Sequence, residues 1–260
     1  MLSNNRISFI RSLQQKKFRE EHRLFVAEGD KLVREMLNSG FTVQQVCGVE
    51  SWIVDNHANA MKAESSEVVK VMDMERMSSM TTAPEVLAVV EIPEYDINEV
   101  GGNQGLVLIL DGIRDPGNMG TLIRTADWFG IRDIIASEDS VEFWNPKVIQ
   151  ATMGSISRVR LHSSDLNKAV NLLRQNAAVN NGAFAVYGAA MEGTDVYKTE
   201  WSKSGALIIG NESNGIRGEI SELLDVTVAI PRAENSGAES LNAGIAAGIL
   251  MSEYFRSAIK

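Results

Sequence analysis

Three polar loops in the second half of the chain carry the residues that could do chemistry. The first, over 111–126, holds a proline and three glycines after an apolar run, with Arg124 in the helical pattern that follows. An arginine there could grip a phosphate through two hydrogen bonds, because its planar fork matches phosphate geometry. The glycine spacing fits neither the dinucleotide fingerprint nor a phosphate loop, which counts against a nucleotide-dependent oxidoreductase.

The other two loops add a carboxylate, a hydroxyl and an amide. Glu212 lies in the glycine-flanked loop 210–215, and Ser240 and Asn242 follow a polar stretch further on. Taken singly, each loop could be an ordinary surface turn. Ser240 is a candidate cap for a glycine- and alanine-rich helix over 241–259. Helical spacing predicts that its buried stripe comprises Leu241, Ile245, Ile249 and Phe255.

Strand-like apolar runs alternate with helical patterns around these loops. The predicted strands are 106–110, 131–136, 183–187, 206–209 and 226–230. This alternation favours a parallel sheet covered on both faces. Ligands of such sheets bind beyond the carboxyl ends of the strands, which is where the three loops begin.

A smaller α/β domain is predicted ahead of this sheet, over 1–95, with a linker over 96–104 and the second domain over 105–260. Its predicted helices are 6–23 and 30–37, with a short apolar piece over 24–27 between them, and its predicted strands are 43–49, 68–71 and 86–92. The linker is the polar stretch bracketed by Pro93, Gly101 and Gly102.

Charge is distributed unevenly on a chain whose net charge is −9. Residues 1–34 carry a local charge of +4 and residues 35–95 a local charge of −7. The basic segment suits a localised phosphate contact, although a solvated helical face is the alternative. The candidate residues for such a contact are Lys17, Arg19, Arg23 and, in the first loop, Arg114.

The remaining composition favours a cytoplasmic protein without a metal site. Cys47 is the single cysteine, so no internal disulfide can form, and we expect a buried structural thiol. The three histidines are scattered without ligand spacing. The longest apolar run near a motif, 106–110, is far too short to span a membrane.

Together and in this order, the loops resemble the SpoU/TrmH family of RNA ribose methyltransferases, of the SPOUT superfamily. The resemblance covers 104–260 and extends more weakly to 6–95, which resembles the substrate-binding domain often fused ahead. The matching patterns are Asn118-x-Gly120-x3-Arg124-x-Ala126, Ala151-Thr152-Met153-Gly154-Ser155, Gly210-Asn211-Glu212-x2-Gly215, Ile230-Pro231 and Ser240-Leu241-Asn242, and, in the N-terminal part, Lys17-Phe18-Arg19 and Phe25-Val26-Ala27-Glu28-Gly29. The chain departs from the family at Arg232, where Met is usual, at Ala189, where many members have Thr, and in the longer loop 232–239.

The resemblance implies an L30e-like N-terminal domain and a catalytic α/β domain whose C-terminal segment threads a trefoil knot. It implies methyl transfer from S-adenosylmethionine to a ribose 2′-hydroxyl of ribosomal or transfer RNA, by a homodimer formed through the C-terminal domain. Arg124 would act at the hydroxyl or its phosphate. The residues expected to position it are Asn118, Glu212, Ser240 and Asn242, and those expected around the cofactor are Gly188, Ala189, Gly210, Ile230 and Leu241.

Two alternatives remain at this point. One is an RNA-binding protein whose cofactor site has lost activity, although such a site need not keep all five polar residues. The other is an RNA base methyltransferase on a similar fold.

Overall fold

Helices and strands alternate along the chain in the computed structural model, which describes residues 2–101, 105–179 and 183–258. In chain order the helices are α1 Asn4–Ser12, α2 Lys16–His22, α3 Asp30–Leu37, α4 Glu50–Asp55, α5 His57–Ala60, α6 Val71–Met77, α7 Pro116–Trp128, α8 Pro146–Thr152, α9 Leu166–Val179, α10 Gly218–Ser221 and α11 Ala243–Ala258. The strands are β1 Leu24–Glu28, β2 Val43–Gly48, β3 Ser65–Val68, β4 Val86–Glu91, β5 Gly105–Asp111, β6 Asp133–Ala136, β7 Arg160–Ser163, β8 Phe184–Ala190, β9 Thr194–Asp195, β10 Ser204–Gly210 and β11 Val226–Ala229. Linker residues 102–104 and Ile259, the predicted last residue of the final helix, lie outside the described part of the chain.

The first unit, 1–94 with 142–158, is built on a mixed sheet in the order β1-β4-β2-β3. Strand β4 runs antiparallel to β1 and β2, while β3 is parallel to β2. Its core gathers Ile10 and Leu13 from the N-terminal helical region with Cys47 and Leu87 from the sheet. Cys47 is buried as predicted, and burial raises the pKa of its thiol to about 12.

Two predictions for this unit are wrong. The helix predicted over 6–23 is two helices, α1 and α2, separated by a turn. The strand predicted over 68–71 is β3, which ends at Val68, while α6 begins at Val71. Strand β3 lies at a sheet edge and most of its side chains are exposed. Its sequence therefore lacks the apolar pattern from which a strand is predicted.

The second unit, 95–141 with 159–260, contains a parallel sheet in the order β7-β6-β5-β10-β8-β11-β9. Every strand pair in it is parallel, as predicted from the alternation. Strands β5 and β10 are almost fully buried, which explains their continuous apolar runs. Leu173 of α9 packs with Val107, Ile109 and Ile208 of these strands in the core of the unit.

Segment 142–158, from the middle of the chain, clusters with the first unit. Val148 and Ile149 of α8 are buried, and α8 packs against β1. The side chain of Gln150 donates to the carbonyl of Glu28 at 2.9 Å. The linear domain boundaries remain a prediction.

Candidate active site

The first loop turns into α7 through a helix cap. Asp115 precedes the helix and its Oδ1 accepts a hydrogen bond from the Asn118 backbone nitrogen at 2.7 Å. Pro116 occupies the first helical turn, where its missing N–H leaves no bond unmade. This local chemistry fixes Asn118 in the first turn of α7, beyond the carboxyl end of β5.

The second loop is a tight turn after β10. The backbone groups of Asn211 and Gly215 exchange hydrogen bonds at 3.0 and 2.8 Å. A Cβ on Gly210 would lie 2.3 Å from the carbonyl carbon of Gly215, so only glycine permits this close approach. The Asn211 side-chain amide donates to the Gly112 carbonyl at 2.9 Å, which ties the loop to the first one.

An ion pair with a buried carboxylate fixes the far end of the second loop. The Asp111 carboxylate, at the end of β5, is fully buried and accepts from the backbone nitrogen and Nε of Arg217 at 2.8 and 2.7 Å. The hydrogen bond to Asp111 raises the pKa of Arg217. Arg217 also lies 3.5 Å from Asp139, whose pKa is lowered first by a hydrogen bond from Ser137. Neither member of the Asp111–Arg217 pair was predicted from the sequence, because a charged residue at each place is typical of an ordinary turn.

Asn118 joins the three loops. Its side-chain amide donates to the Glu212 carboxylate, and its Oδ1 accepts from the Asn242 amide at 2.8 Å. The three residues are predicted site residues, and the fold brings them into one hydrogen-bonded array. The array offers a carboxylate and two amides at the carboxyl ends of neighbouring strands.

Two other predicted polar residues do not join this array. Arg124 is exposed on α7, and within the described residues its guanidinium makes no hydrogen bond or ion pair. Ser240 is exposed and is not the cap of the last helix, so that expectation is wrong. Asn242 Oδ1 instead accepts from the backbone nitrogens of Gly244 and Ile245 at 3.0 and 3.3 Å.

The predicted cofactor residues mostly lie at the carboxyl ends of adjacent strands. Gly188 and Ala189 of β8 lie opposite Thr227 and Val228 of β11, and Gly210 ends β10. Ile230 directly follows β11, and Leu241 precedes α11. A Cβ on Gly188 would lie 2.4 Å from Leu224 Cδ1, so packing alone explains that glycine.

The small residues of α11 pack against α7. A Cβ on Gly244 would lie 2.8 Å from Thr121 Cγ2, and one on Gly248 would lie 3.8 Å from Thr125 Cγ2. The glycine is therefore required by close packing at Gly244, whereas Gly248 makes only ordinary contact. The predicted buried stripe is wrong, because Ile249 and Phe255 are half-buried, while Leu241 and Ile245 are exposed. The buried residues among the described part of this helix are Ala243, Gly244, Ala247, Leu250, Met251, Glu253 and Tyr254.

The candidate RNA-binding residues divide into exposed and buried ones. Lys17 and Arg23 are exposed on the first unit, and Arg114 is exposed on the second. Arg19 is only 2% exposed, donates to the Leu13 carbonyl at 2.7 Å and pairs with Glu142. Burial lowers the pKa of Arg19. Its assignment as an RNA contact is therefore corrected, because its guanidinium is committed inside the first unit.

The described residues contain neither a metal-ligand cluster nor a membrane-spanning helix. In 2–101, 105–179 and 183–258, no group of three His, Cys, Asp or Glu side chains could hold a metal ion. Over the same ranges, none of the helices has the length and apolar character needed to cross a membrane.

A parallel sheet with a polar array at its carboxyl edge defines an α/β protein that binds its ligand at the strand ends. Residues 105–252 match the model of the SpoU rRNA Methylase family, and residues 4–88 match that of the MRM3-like substrate binding domain. The chain belongs to the SpoU rRNA methylase family.

Similar proteins cover nearly the whole chain. The 23S rRNA (guanosine(2553)-2′-O)-methyltransferase RlmP of Bacillus subtilis is 28% identical over 252 residues, 95% of each chain. A solved TrmH-family protein from Porphyromonas gingivalis is 35% identical, with a TM-score of 0.86 over 98% of this chain and 99% of that one. An AdoMet-bound rRNA methyltransferase from Sinorhizobium meliloti is 28% identical, with a TM-score of 0.86 over 98% and 96%.

Proposed function

We propose that this chain transfers a methyl group from S-adenosylmethionine to a ribose 2′-hydroxyl of ribosomal RNA. The observation that carries the proposal is the Glu212–Asn118–Asn242 array, built from three loops at the carboxyl edge of the sheet. Two relatives support it. RlmP is named as a 23S rRNA 2′-O-methyltransferase, and the Sinorhizobium meliloti enzyme is described as AdoMet-bound.

The strand ends suit a nucleoside with a charged tail. Leu241 is 45% exposed and Ile230 half-buried, so apolar surface is available beside the backbone groups that follow β10 and β11. Gly188, Ala189 and Gly210 would complete the walls. When bound, the cofactor supplies a methyl group on a good sulfonium leaving group.

The polar residues would align the RNA and not carry the methyl group. Asn118 and Asn242 would hold the ribose through their amides, with Glu212 accepting from Asn118 to fix its orientation. Arg124 would bind the phosphate next to the reacting hydroxyl, since its guanidinium is exposed and always protonated. A protonated guanidinium favours the developing alkoxide electrostatically. Ser240 would approach the RNA only through movement of the exposed loop 232–242, and its role remains a prediction.

The test is methyl transfer to ribosomal RNA from a strain lacking this protein. Radiolabelled S-adenosylmethionine should label the RNA, and the label should map to a 2′-position. Calorimetry should show cofactor binding independently of RNA. Absence of both would contradict the proposal, whereas binding without transfer would favour the inactive RNA-binding alternative. Label on a base would favour base methylation.

We further propose a homodimer through α7 and α11. Trp128 is 85% exposed on α7, and Ile245 is 57% exposed on α11. Exposed large apolar side chains on two packed helices are typical of a protein–protein interface. Ile245→Arg should shift the mass measured by light scattering from dimer to monomer. Val179→Arg, at a residue 82% exposed on α9, is the matched control and should leave the dimer intact.

The remaining assignments follow the family. The N-terminal domain would dock RNA through its basic surface, the C-terminal segment would form the trefoil knot, and the enzyme would act in the cytoplasm, where its RNA substrate is made. Lys17, Arg23 and Arg114 are the exposed cations proposed to contact RNA.

A further inference from the structure

A pocket of about 420 Å³ lies in the first unit, at the edge where β1 and β2 begin and β4 ends. Its volume falls in the range of sites that take small molecules or single nucleotide bases. Its walls include His22, Arg23, Phe41, Glu91, Pro93 and Glu94. None of these residues belongs to the loop array of the second unit.

Arg23 has an unusual backbone conformation for a residue with a side chain. It caps α2 with φ of 54° and ψ of 41°, a left-handed conformation that helix ends usually give to glycine. A side chain there costs about 1 kcal/mol. The Arg23 guanidinium lies 3.0 Å from Glu94, and these side chains are 51% and 84% exposed. An ion pair that exposed contributes little stability. Folding therefore does not explain an arginine at this place, whereas a ligand in the pocket does.

The pocket combines flat apolar surface with donors and acceptors. Phe41 and Pro93 are half-buried, and Phe41 packs edge-on against Phe25 at 6.2 Å. Arg23 donates, while the carboxylates of Glu91 and Glu94 accept. Proteins read unpaired RNA bases by stacking them on such faces and hydrogen-bonding their edges.

The pocket is lined by two carboxylates and one guanidinium, and Oε1 of Glu91 already accepts from the Gln44 amide at 2.8 Å. The remaining carboxylate oxygens favour the base richest in donors. Guanine presents the O6 acceptor next to the N1–H and N2–H donors on one edge. O6 would accept from Arg23, and the two N–H groups would donate to Glu94 or Glu91. The other three bases offer fewer donors on that edge and would leave more carboxylate oxygens unpaired.

The exposed charges of α2, the helix that ends at the pocket, are balanced. Lys16 and Lys17 at its start are followed by Glu20 and Glu21, and Lys16 lies 3.5 Å from Glu20. Lys17 is the exposed cation of this helix that could contact a phosphate of a single strand entering the pocket. We propose that the pocket takes one unpaired guanine of the RNA substrate, an inference that rests on the proposed function.

The test uses the full chain and short labelled uridine-rich RNAs with one central G, A, C or U. Fluorescence anisotropy at a fixed salt concentration should show the G-containing RNA binding about tenfold more tightly than the others. Arg23→Gly removes the guanidinium but suits the left-handed backbone, so the variant should fold and lose this preference. Glu94→Gln should reduce it. Arg76→Ala is the control, since Arg76 is 47% exposed on α6 in an ion pair with Asp73.

Equal binding of all four RNAs, or a preference for another base, would overturn the proposal. So would equal losses of the preference in Arg23→Gly and Arg76→Ala. Methyl transfer to ribosomal RNA, measured on the same preparations, separates this failure from failure of the proposed function. Transfer without guanine preference would remove the pocket's role alone, whereas loss of transfer and of cofactor binding in the parent protein would remove the proposed function.

Discussion

Asp111 and Arg217 form an ion pair, buried at its carboxylate, that anchors the Glu212 loop to strand β5. The Asp111 carboxylate is fully buried, and the Arg217 side chain is 42% exposed. Register reinforces the pair, because Gly210, just before the loop, lies opposite Asp111. The loop is thereby held at both ends, by Gly210 and by Arg217.

Arg217→Ala should destabilise the protein and weaken turnover. The substitution leaves the buried Asp111 carboxylate with the backbone N–H of residue 217 alone. The free energy of unfolding should fall by about 1–3 kcal/mol, a range that allows for solvent screening at the exposed guanidinium. Because Glu212 loses its fixed place, kcat should fall more than cofactor affinity. Denaturant unfolding and steady-state kinetics measure the two effects. Arg217→Lys should recover part of both, and a stable Arg217→Ala variant with normal kcat would show that the pair does not position the loop.

Arg124→Ala should lower methyl transfer by about 100-fold or more, the range for losing one electrostatic partner of the reacting group. Cofactor binding measured by calorimetry should change little. Arg132→Ala provides the control, since Arg132 is also an exposed arginine of the second unit. If both variants turned over alike, Arg124 would have no part in the mechanism.

Lys17 and Arg19 should behave oppositely although they are two residues apart in the basic segment. Lys17→Ala should weaken RNA binding and reduce the slope of affinity against salt by about one, as for one lost phosphate contact. Arg19→Ala should instead lower the free energy of unfolding by about 3–5 kcal/mol, because it leaves Glu142 without its buried partner. Urea unfolding and salt-dependent RNA binding distinguish them. A normal unfolding curve for Arg19→Ala would contradict its buried role.

Two glycines of α11 give a matched pair of helix substitutions. Gly244→Ala should destabilise by about 1–3 kcal/mol, because the new Cβ would lie 2.8 Å from Thr121 Cγ2. Gly248→Ala meets only ordinary contact and should stabilise by up to about 1 kcal/mol through helix propensity. Thr121→Ser should partly rescue Gly244→Ala by removing the methyl group. Equal effects at the two glycines would show that propensity, and not packing, controls this helix.

The pattern of apolar residues predicted the strands that are buried along nearly their whole length. Strand β10 was expected over 206–209 and spans Ser204–Gly210, because both of its faces are apolar. Strand β7 escaped prediction because it carries Arg160 and His162, which pair with Asp133 of the neighbouring strand. A polar strand becomes recognisable only when its partner is known.

The candidate site was likewise predicted only in part. Asn118, Glu212 and Asn242 could be named from motif resemblance, but their contacts join residues 94 and 124 positions apart, which no local pattern shows. The sequence does not distinguish Arg19 from its basic neighbours, because its buried partner Glu142 lies far along the chain. The capping role of Asn242 was missed because Ser240, another good cap residue, precedes it by two positions.

The assignment of 142–158 to the first unit has a consequence for synthesis on the ribosome. When residue 95 has been added, β1 still lacks α8, and the ring of Phe25 lacks the Trp144 ring that stacks on it at 5.0 Å. At about 5–20 residues per second, the missing segment follows roughly 3–13 s later. During that interval the nascent N-terminal half exposes apolar surface, so a chaperone that binds emerging chains should crosslink to it before residue 158 is translated and release it afterwards.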